Sequence, residues 1–288
     1  MRHSLAALAA CAVLAAGCSR PAPSTTRQFP LTGEIVAVRT DRTEVTVRHD
    51  EVKGFMPAMT MAFAIKEPAL VAGLQPGDLI AATLVLTDED SYLTAIRKTG
   101  TVPPGAHSAP LPEPPPGLRD GEAVPDIMLT FDDGTTAQLT AQRGTLVLLT
   151  FIYTRCQLPD YCPRMDRYFT AIQAAVAADP RLKGQVRLLS ISFDPEFDTP
   201  ARLAAHARAR GADPAVWRYA TAPRAAVDAF GARFGLTVTR EGADGSNITH
   251  NLRTALVGRD GTLVKTYNGN EWQPPEVVRD LASLAARR

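Results

Sequence analysis

The amino-acid sequence predicts two domains, a small all-β barrel followed by an α/β domain. The chain has 288 residues, a comfortable length for two domains. Residues 99–120 hold seven prolines together with glycine, serine and alanine. Proline-rich segments favour an extended polyproline conformation, so this segment is predicted to be a linker. The hydrophobic pattern differs on its two sides, with short strands before it and alternating strands and helices after it.

The first domain, residues 31–98, has the alternating apolar and polar pattern of β-strands. A Gly-Asp pair at residues 77–78 marks a turn in its middle. The predicted strands are residues 33–38, 44–49, 59–63, 79–86 and 92–96. Several short strands in so small a domain indicate a closed barrel.

The second domain, residues 121–288, alternates strands with helices. Residues 145–153 form a continuous apolar run, which is typical of a strand buried on both faces, and residues 186–193 form a second one. A hairpin is predicted around the turn at residues 258–261. Prolines open the predicted helices, which cover residues 163–178, 199–211, 223–234 and 274 onward. This order of elements predicts a thioredoxin-like α/β fold.

The first eighteen residues have the features of a bacterial leader. A short basic start precedes an apolar run at residues 5–16, which is too short to span a bilayer and is typical of a signal peptide. The end of the leader resembles a bacterial lipobox, whose cysteine, here Cys18, is lipidated after cleavage; plain secretion is the alternative. Residues 19–30 are predicted to be a flexible tether. We therefore expect the protein on the periplasmic side of the cell envelope, anchored to a membrane through Cys18.

Charge and cysteine content limit the possible classes of function. The chain has 31 Lys and Arg residues against 30 Asp and Glu residues, so no basic excess indicates a nucleic-acid partner. Of the four cysteines, only Cys156 and Cys162 lie in the predicted folded domains. In an oxidising compartment two nearby cysteines often form a structural disulfide, which is one interpretation of this pair.

Both cysteines are predicted to lie between the end of a buried strand and the start of a helix. The N-terminus of a helix carries partial positive charge, which favours a thiolate over a thiol. Cys162, directly before Pro163, should feel this effect most. Thiolates attack disulfides and also bind soft metals, so both cysteines are redox candidates as well as candidate ligands.

These residues resemble the SCO/SenC family of copper-binding thioredoxin-like proteins. The resemblance covers about residues 121–285 and includes the sequence around the two cysteines, the acidic segment at residues 192–200 and the tripeptide Thr249-His250-Asn251. It implies that Cys156, Cys162 and His250 ligate copper. The family places three residues between its cysteines, whereas this chain has five, and a longer loop relaxes the geometry of the site.

The chemistry of this donor set is consistent with copper. Two thiolates and an imidazole suit Cu(I), and mixtures of sulfur and nitrogen also hold Cu(II), whereas zinc, the competing metal, usually requires a fourth ligand. A solvent-facing loop histidine is the alternative interpretation of His250. Arg253 stands where thioredoxins carry a cis-proline, which favours metal binding over general disulfide exchange. Asp194 and Asp198 are interpreted as turn and helix-capping residues, with Asp198 capping the helix that begins near Pro200.

A second candidate site is predicted in the barrel. Because the side chains of a strand alternate, Met59 and Met61 share a face, and His49 ends the corresponding face of the preceding strand. One imidazole and two thioethers form a soft set that selects Cu(I) or Ag(I) over Zn(II). Core packing is the alternative role for the methionines.

The same segment resembles the periplasmic copper- and silver-binding CusF family, whose fold is a five-stranded OB-like barrel. The resemblance covers nearly the whole domain and implies that His49, Met59 and Met61 are ligands. Met56 stands where well-known members place a tryptophan over the metal, so a cation–π cap is missing. Met56 is a candidate third thioether, and Phe55 is a candidate substitute cap.

Together these patterns predict a copper metallochaperone. The barrel would capture Cu(I), the linker would keep the two sites at high effective concentration, and the Cys/Cys/His site would deliver copper. By family resemblance the recipient would be the copper centre of a cytochrome c oxidase subunit, and the activity would be binding and transfer rather than catalysis. One alternative is a thiol–disulfide oxidoreductase that reduces the cysteines of a copper-receiving protein through Cys156 and Cys162. Another is a passive copper buffer that needs only the barrel.

Overall fold

A computed structural model describes residues 26–103, 116–241 and 247–286 of the chain. The predicted leader with Cys18, most of the predicted tether and the centre of the predicted linker lie outside these residues. Among the helices within the described ranges, none has the length and apolar character needed to cross a bilayer.

The first domain is a closed five-stranded barrel, as predicted. Its strands follow one another in the order β1-β2-β3-β5-β4, and β1 closes the barrel by pairing with β4 as well as with β2. They are β1 (Arg27–Val38), β2 (Glu44–His49), β3 (Met59–Ile65), β4 (Asp78–Leu86) and β5 (Ser91–Thr101). The barrel core is built from alternate residues, so Val45 opposes Phe63, and Val47 opposes Met61, with all four side chains buried.

The barrel is longer at both ends than its hydrophobic pattern predicts. Residues 27–30, assigned to the tether, belong to β1 and pair with β4. Residues 99–101, assigned to the linker, belong to β5 and pair with the start of β4. Most side chains in these two extensions are exposed, so backbone pairing rather than an apolar face defines them. At the far end of the linker, Leu118 packs on the core of the second domain and donates its backbone N–H to the carbonyl of Arg233.

The second domain is built on a seven-stranded sheet with the order β14-β13-β8-β9-β10-β6-β7. The central strands β8, β9 and β10 are parallel, and antiparallel strands extend the sheet on both sides. The strands of this sheet are β6 (Met128–Phe131), β7 (Thr136–Gln138), β8 (Leu146–Ile152), β9 (Val186–Ser192), β10 (Trp217–Thr221), β13 (Arg253–Val257) and β14 (Leu263–Asn268).

Four helices cover the two faces of this sheet. They are α1 (Cys162–Ala178), α2 (Pro200–Arg210), α3 (Arg224–Ala232) and α4 (Pro274–Ala285). Every residue of β8 is buried, because its alternate side chains enter two cores, one with α3 and the other with α1, α2 and α4. This arrangement is the predicted thioredoxin-like fold.

A short two-stranded sheet, β11 (Val238–Glu241) and β12 (Asn247–His250), stands beside the main sheet. Its register pairs Val238 with His250. The sequence did not predict β6, β7, β10, β11 or β12, because these strands are short and lack a clear apolar alternation. β12 is nevertheless the element that carries His250.

Candidate metal centre

The two cysteines lie at different depths in the loop that joins β8 to α1. β8 ends at Ile152, and α1 begins at Cys162 with Pro163 in its first turn. Cys162, the first residue of α1, is 3% exposed and packs in the core, whereas Cys156 is only partly buried. The two residues are not bonded to each other. The loop therefore holds one partly buried and one fully buried cysteine.

Asp198 holds the loop in front of Cys156. Its buried carboxylate accepts hydrogen bonds from the backbone N–H of Thr154, at 2.9 Å, from the Thr154 hydroxyl, and from the Ser192 hydroxyl, at 2.6 Å. The prediction that Asp198 caps α2 is wrong, since the N-terminus of α2 has no side-chain cap. The carboxylate instead serves the cysteine loop, because β8 and β9 run side by side and their ends meet here.

Asp194 steadies the residue next to Cys156. It accepts a hydrogen bond from Nε of Arg155 at 2.7 Å, and its backbone carbonyl closes the turn that leads to Asp198. The guanidinium of Arg155 also lies over the ring of Phe197, 4.8 Å from its centroid. The acidic segment at residues 192–200 thus holds the cysteine loop in place through the carboxylates of Asp194 and Asp198.

His250 points its free ring nitrogen at the cysteines. Its Nδ1 lies 2.8 Å from the backbone carbonyl oxygen of Asn251, so Nδ1 carries the proton and donates it. This leaves the lone pair on Nε2, which is 3.8 Å from Sγ of Cys162. Tyr153, Tyr161 and Phe193 surround the imidazole, with ring centroids 4.9 to 5.8 Å away. A fixed tautomer with a free Nε2 is the arrangement of a metal-binding histidine.

The three predicted ligands of this site are brought together by the fold. The ligand atoms of Cys156, Cys162 and His250 all lie within 4.8 Å of one another. Cys156 and Cys162 come from one loop and the helix start that follows it, and His250 comes from a strand end 88 residues further along the chain. This convergence is the geometry that a small soft ion requires.

The two thiols differ in acidity. A hydrogen bond from the Cys162 thiol lowers the pKa of Cys156 well below its usual range, and the neighbouring His250 adds to this effect. Burial raises the pKa of Cys162. The prediction that Cys162 would be the more readily ionised thiol is therefore wrong, because burial outweighs the helix N-terminus. Of the two thiols, Cys156 therefore has the lower pKa.

The candidate site in the barrel lies where β2 and β3 pair. His49 is opposite Met59 in the register, and Met61 is two residues further along the same face. His49 is 2% exposed, and burial lowers its pKa, which keeps the imidazole neutral. Its Nδ1 donates to the backbone carbonyl of Asp50 at 2.7 Å. Its Nε2 is buried and has no hydrogen-bond partner among the described residues. The lone pair of this nitrogen therefore accepts no hydrogen bond.

Met56 and Phe55 take different positions near this site. Met56 is buried, and together with Met59 and Met61 it lines a cavity between the two domains. Phe55 stacks on Phe29 with ring centroids 4.9 Å apart, which places its ring at the β1 side of the barrel. Met56 thus adds a thioether to the side of the barrel that faces the second domain.

The two candidate sites face each other across this interdomain cavity. Its volume is about 240 Å³, and its walls include the three methionines on one side and Cys156, Tyr161 and His250 on the other. A larger cleft of about 670 Å³ between the domains also reaches Met61, Tyr161 and His250. The sequence predicted a linker between two separate sites and did not predict that the domains dock.

Three hydrogen bonds join the domains beside the candidate ligands. The hydroxyls of Thr249 and Tyr161 donate to the backbone carbonyls of Thr60 and Ala62, at 2.8 and 3.2 Å, and the amide of Asn247 donates to the carbonyl of Ala58 at 3.1 Å. The sequence did not predict these contacts between the domains. Every residue has a backbone carbonyl, so the acceptors cannot be recognised from the residue types.

The five-residue segment between the cysteines supplies much of the remaining contact. Leu158 is buried in the hydrophobic cluster of the barrel. Asp160 accepts a hydrogen bond from the hydroxyl of Ser91 at 2.6 Å, and burial raises its pKa to about 6. In the next turn, Arg164 pairs with Asp90 of the barrel. The length of this segment, interpreted from the sequence only as relaxing the geometry of the site, is a signal that could have indicated this contact.

Comparison with known proteins agrees with both domains. The SCO1/SenC family model matches residues 119–286, which is more than half of the chain, and the model described as copper binding periplasmic protein CusF matches residues 28–98. A SCO1 protein homolog of Bacillus subtilis (strain 168) is 28% identical over 155 residues, which are 53% of this chain and 78% of that protein.

Two solved structures are similar to the second domain. One is BsSco, described as a member of the Sco family of cytochrome c oxidase assembly proteins, with 27% identity, a TM-score of 0.50, and coverage of 60% of this chain and 98% of that one. The other is a SCO1/SenC family lipoprotein from Bacillus anthracis str. Ames, with 23% identity, a TM-score of 0.51, and coverage of 57% and 96%. The chain belongs to the SCO1/SenC family, and its N-terminal barrel is a CusF-type domain.

Proposed function

We propose that this protein is a copper metallochaperone of the cell envelope, which binds Cu(I) in its barrel and delivers copper through Cys156, Cys162 and His250. The observation that carries the proposal is the convergence of these three side chains, with all ligand atoms within 4.8 Å of one another. The matching CusF model is described as copper binding, which supports the same cargo for the barrel. Copper is here the substrate of the protein.

The donor atoms favour copper over its competitors. Thioethers and thiolates are soft donors that prefer Cu(I), and the set formed by Cys156, Cys162 and His250 lacks the fourth protein ligand that structural zinc sites usually have. The buried Nε2 of His49, which no described residue satisfies, is a donor that a monovalent ion beside Met59 and Met61 would use. The barrel and the cysteine site are therefore both suited to the same ion.

The recipient is proposed to be the copper centre of a cytochrome c oxidase subunit. The support is the similarity to BsSco, which is described as a member of a family of oxidase assembly proteins. The predicted leader and lipid site at Cys18 would place the protein on the periplasmic side of a membrane, where such a centre is accessible.

A second candidate function is thiol–disulfide exchange with a copper-receiving protein. The specific observation is the unequal pair: Cys156 is partly buried and has a lowered pKa, and Cys162 is fully buried beside it with a raised pKa. An accessible thiolate with a resolving thiol in reach is the requirement for this reaction. This function would use both cysteines and would not need His250.

Replacing His250 by alanine separates the two functions. In a Met59→Leu/Met61→Leu background, where only the cysteine site remains, we expect His250→Ala to weaken Cu(I) binding by more than about tenfold, or about 1.4 kcal/mol. Reduction of a disulfide substrate should persist in this variant. The measurements are competition with a chromophoric Cu(I) chelator and an insulin-reduction assay.

His206→Gln is the matched control, because His206 bonds to Asp166 and lies outside the site. An unchanged copper affinity in both His250→Ala and Cys156→Ser/Cys162→Ser would refute the metallochaperone. Loss of disulfide reduction in His250→Ala, together with loss of copper binding, would argue against independent thiol chemistry.

A further inference from the structure

The interdomain cavity brings soft donor atoms from both domains to one space. Three thioethers, of Met56, Met59 and Met61, line it from the barrel, and Cys156 and His250 line it from the second domain. Its volume is about 240 Å³. One water molecule occupies about 30 Å³, so the cavity is several times larger than a single water. An ion therefore has room to change ligands inside it.

Cys156 is the ligand that faces the barrel. Cys162 is enclosed in the core beneath α1, whereas Cys156 packs against the hydrophobic clusters of both domains. Met59 packs against the same barrel cluster and is likewise only partly buried. Partly buried ligands of both sites, Cys156 and Met59, therefore border the same cavity.

The docking contacts set the positions of these ligands. Thr60, which accepts the hydrogen bond of Thr249, lies between Met59 and Met61 in β3, and Thr249 directly precedes His250 in β12. Tyr161, which directly precedes Cys162, donates its hydroxyl hydrogen bond to the backbone carbonyl of Ala62 in β3. The segments that carry the ligands are thus the segments that hold the domains together.

We propose that the interdomain cavity holds a third Cu(I) position, ligated by the thiolate of Cys156 and the thioethers of Met56 and Met59, through which copper passes between the barrel site and the Cys/Cys/His site. This proposal rests on the proposed function, because it takes copper as the cargo. Met56, the candidate third thioether of the barrel, lines the cavity together with Met59, which is a ligand of the barrel site, so both can take part in handing over an ion.

The transfer is a ligand exchange without a redox step. The copper remains Cu(I) throughout. Its bonds to His49 and Met61 break as its bonds to Cys156 and Met56 form, and then its thioether bonds break as bonds to Cys162 and His250 form. Any thiol proton that is displaced passes to solvent. No oxidant or reductant is needed.

The test is X-ray absorption on selenomethionine-labelled full-length protein in which both end sites are disabled. His49→Ala disables the barrel site, and Cys162→Ser with His250→Ala disables the other. With one equivalent of Cu(I), we expect selenium and sulfur neighbours around the same copper. Adding Cys156→Ser should remove the sulfur neighbour and weaken binding by at least tenfold, and Met56→Leu should reduce the selenium neighbours. Met128→Leu, an exposed methionine of β6, is the matched control.

A milder variant keeps the test decisive if the triple variant does not fold. Cys162→Ser alone should bind one equivalent of Cu(I) with selenium neighbours, and adding this copper should fully protect Cys156 from iodoacetamide relative to the copper-free variant. Both results together require one ion to contact both selenium and Cys156. Copper with selenium neighbours and an unprotected Cys156, or with sulfur and no selenium, would overturn the third position. If wild-type copper binding does not depend on Cys156, Cys162 and His250, the proposed function fails as well, so the two failures are distinguishable.

Discussion

Both candidate histidines are oriented by the same kind of local hydrogen bond. Nδ1 of His49 donates to the carbonyl of Asp50, and Nδ1 of His250 donates to the carbonyl of Asn251, in each case the next residue. The bond fixes the tautomer and directs Nε2 inward without using a second side chain. In each case the backbone carbonyl of the following residue therefore orients the histidine for metal binding.

At the same scale, Asp198 is expected to act as a positioning residue for Cys156. Asp198→Ala would leave the part-buried N–H of Thr154 without its acceptor, and an unsatisfied buried group typically costs about 1–3 kcal/mol. We expect a lower free energy of unfolding and weaker Cu(I) binding at the cysteine site, measured by chemical denaturation and chelator competition. Asp179→Ala, at an exposed ion pair with Arg181, is the control. Unchanged copper affinity in Asp198→Ala would contradict the positioning role.

Gly33 is expected to be essential for the barrel. A Cβ at this position would lie 2.7 Å from Cα of His49 and closer still to the carbonyl oxygen of Arg48. Gly33→Ala should therefore destabilise the barrel by about 1–3 kcal/mol, as overpacking does, and disturb copper binding at His49. Gly100→Ala is the matched control, since its Cβ would meet only the Leu79 side chain at 3.6 Å. Equal stability of the two variants, measured by thermal unfolding, would contradict this reading.

At the scale of elements, β3 and β12 form the joint between the domains. The carbonyls of Ala58, Thr60 and Ala62 all point to the second domain, so one edge of β3 is covered by side-chain donors. β3 pairs with β5 only at Ala64 and Ile65, which leaves this edge available. An edge that would otherwise be exposed is used for docking.

Removing two of these donors should loosen the joint. Thr249→Val and Tyr161→Phe keep the shape of the side chains but each remove one hydrogen bond, worth about 0.5–1.5 kcal/mol. We expect the double variant to alkylate Cys156 with iodoacetamide several times faster than wild type, because undocking uncovers the cavity. Thr239→Val, at the position paired with Thr249, is the control. An unchanged alkylation rate in the double variant would show that docking does not shield Cys156.

At the scale of the whole molecule, the two domains should respond to copper separately, each through its own metal site. A ligand that binds only the folded state stabilises it by about 2.7 kcal/mol at a hundred times its Kd. In Cys156→Ser/Cys162→Ser, Cu(I) should raise the unfolding temperature of the barrel alone, and in Met59→Leu/Met61→Leu that of the second domain alone. Calorimetry with and without one equivalent of Cu(I) measures both. A shift in the domain whose ligands were removed would contradict the assignment of the sites.

The sequence by itself determined the two domains, most of their elements and the candidate ligands. Alternation and continuous apolar runs are local, so they identified the barrel and strands such as β8, and thiol, thioether and imidazole chemistry belongs to single residues. The short strands were missed, β12 among them, because the sheet rather than a hydrophobic pattern defines them.

Only the tertiary structure decided how these parts work together. Burial raised the pKa of Cys162 and left Cys156 with the lower one, and the meeting of β8 with β9 directed the Asp198 carboxylate to the cysteine loop rather than to the start of α2. The docking of the barrel and the shared cavity rest on backbone carbonyls of β3. Depth and distant backbone partners are properties of the folded chain, and no pattern of neighbouring residues encodes them.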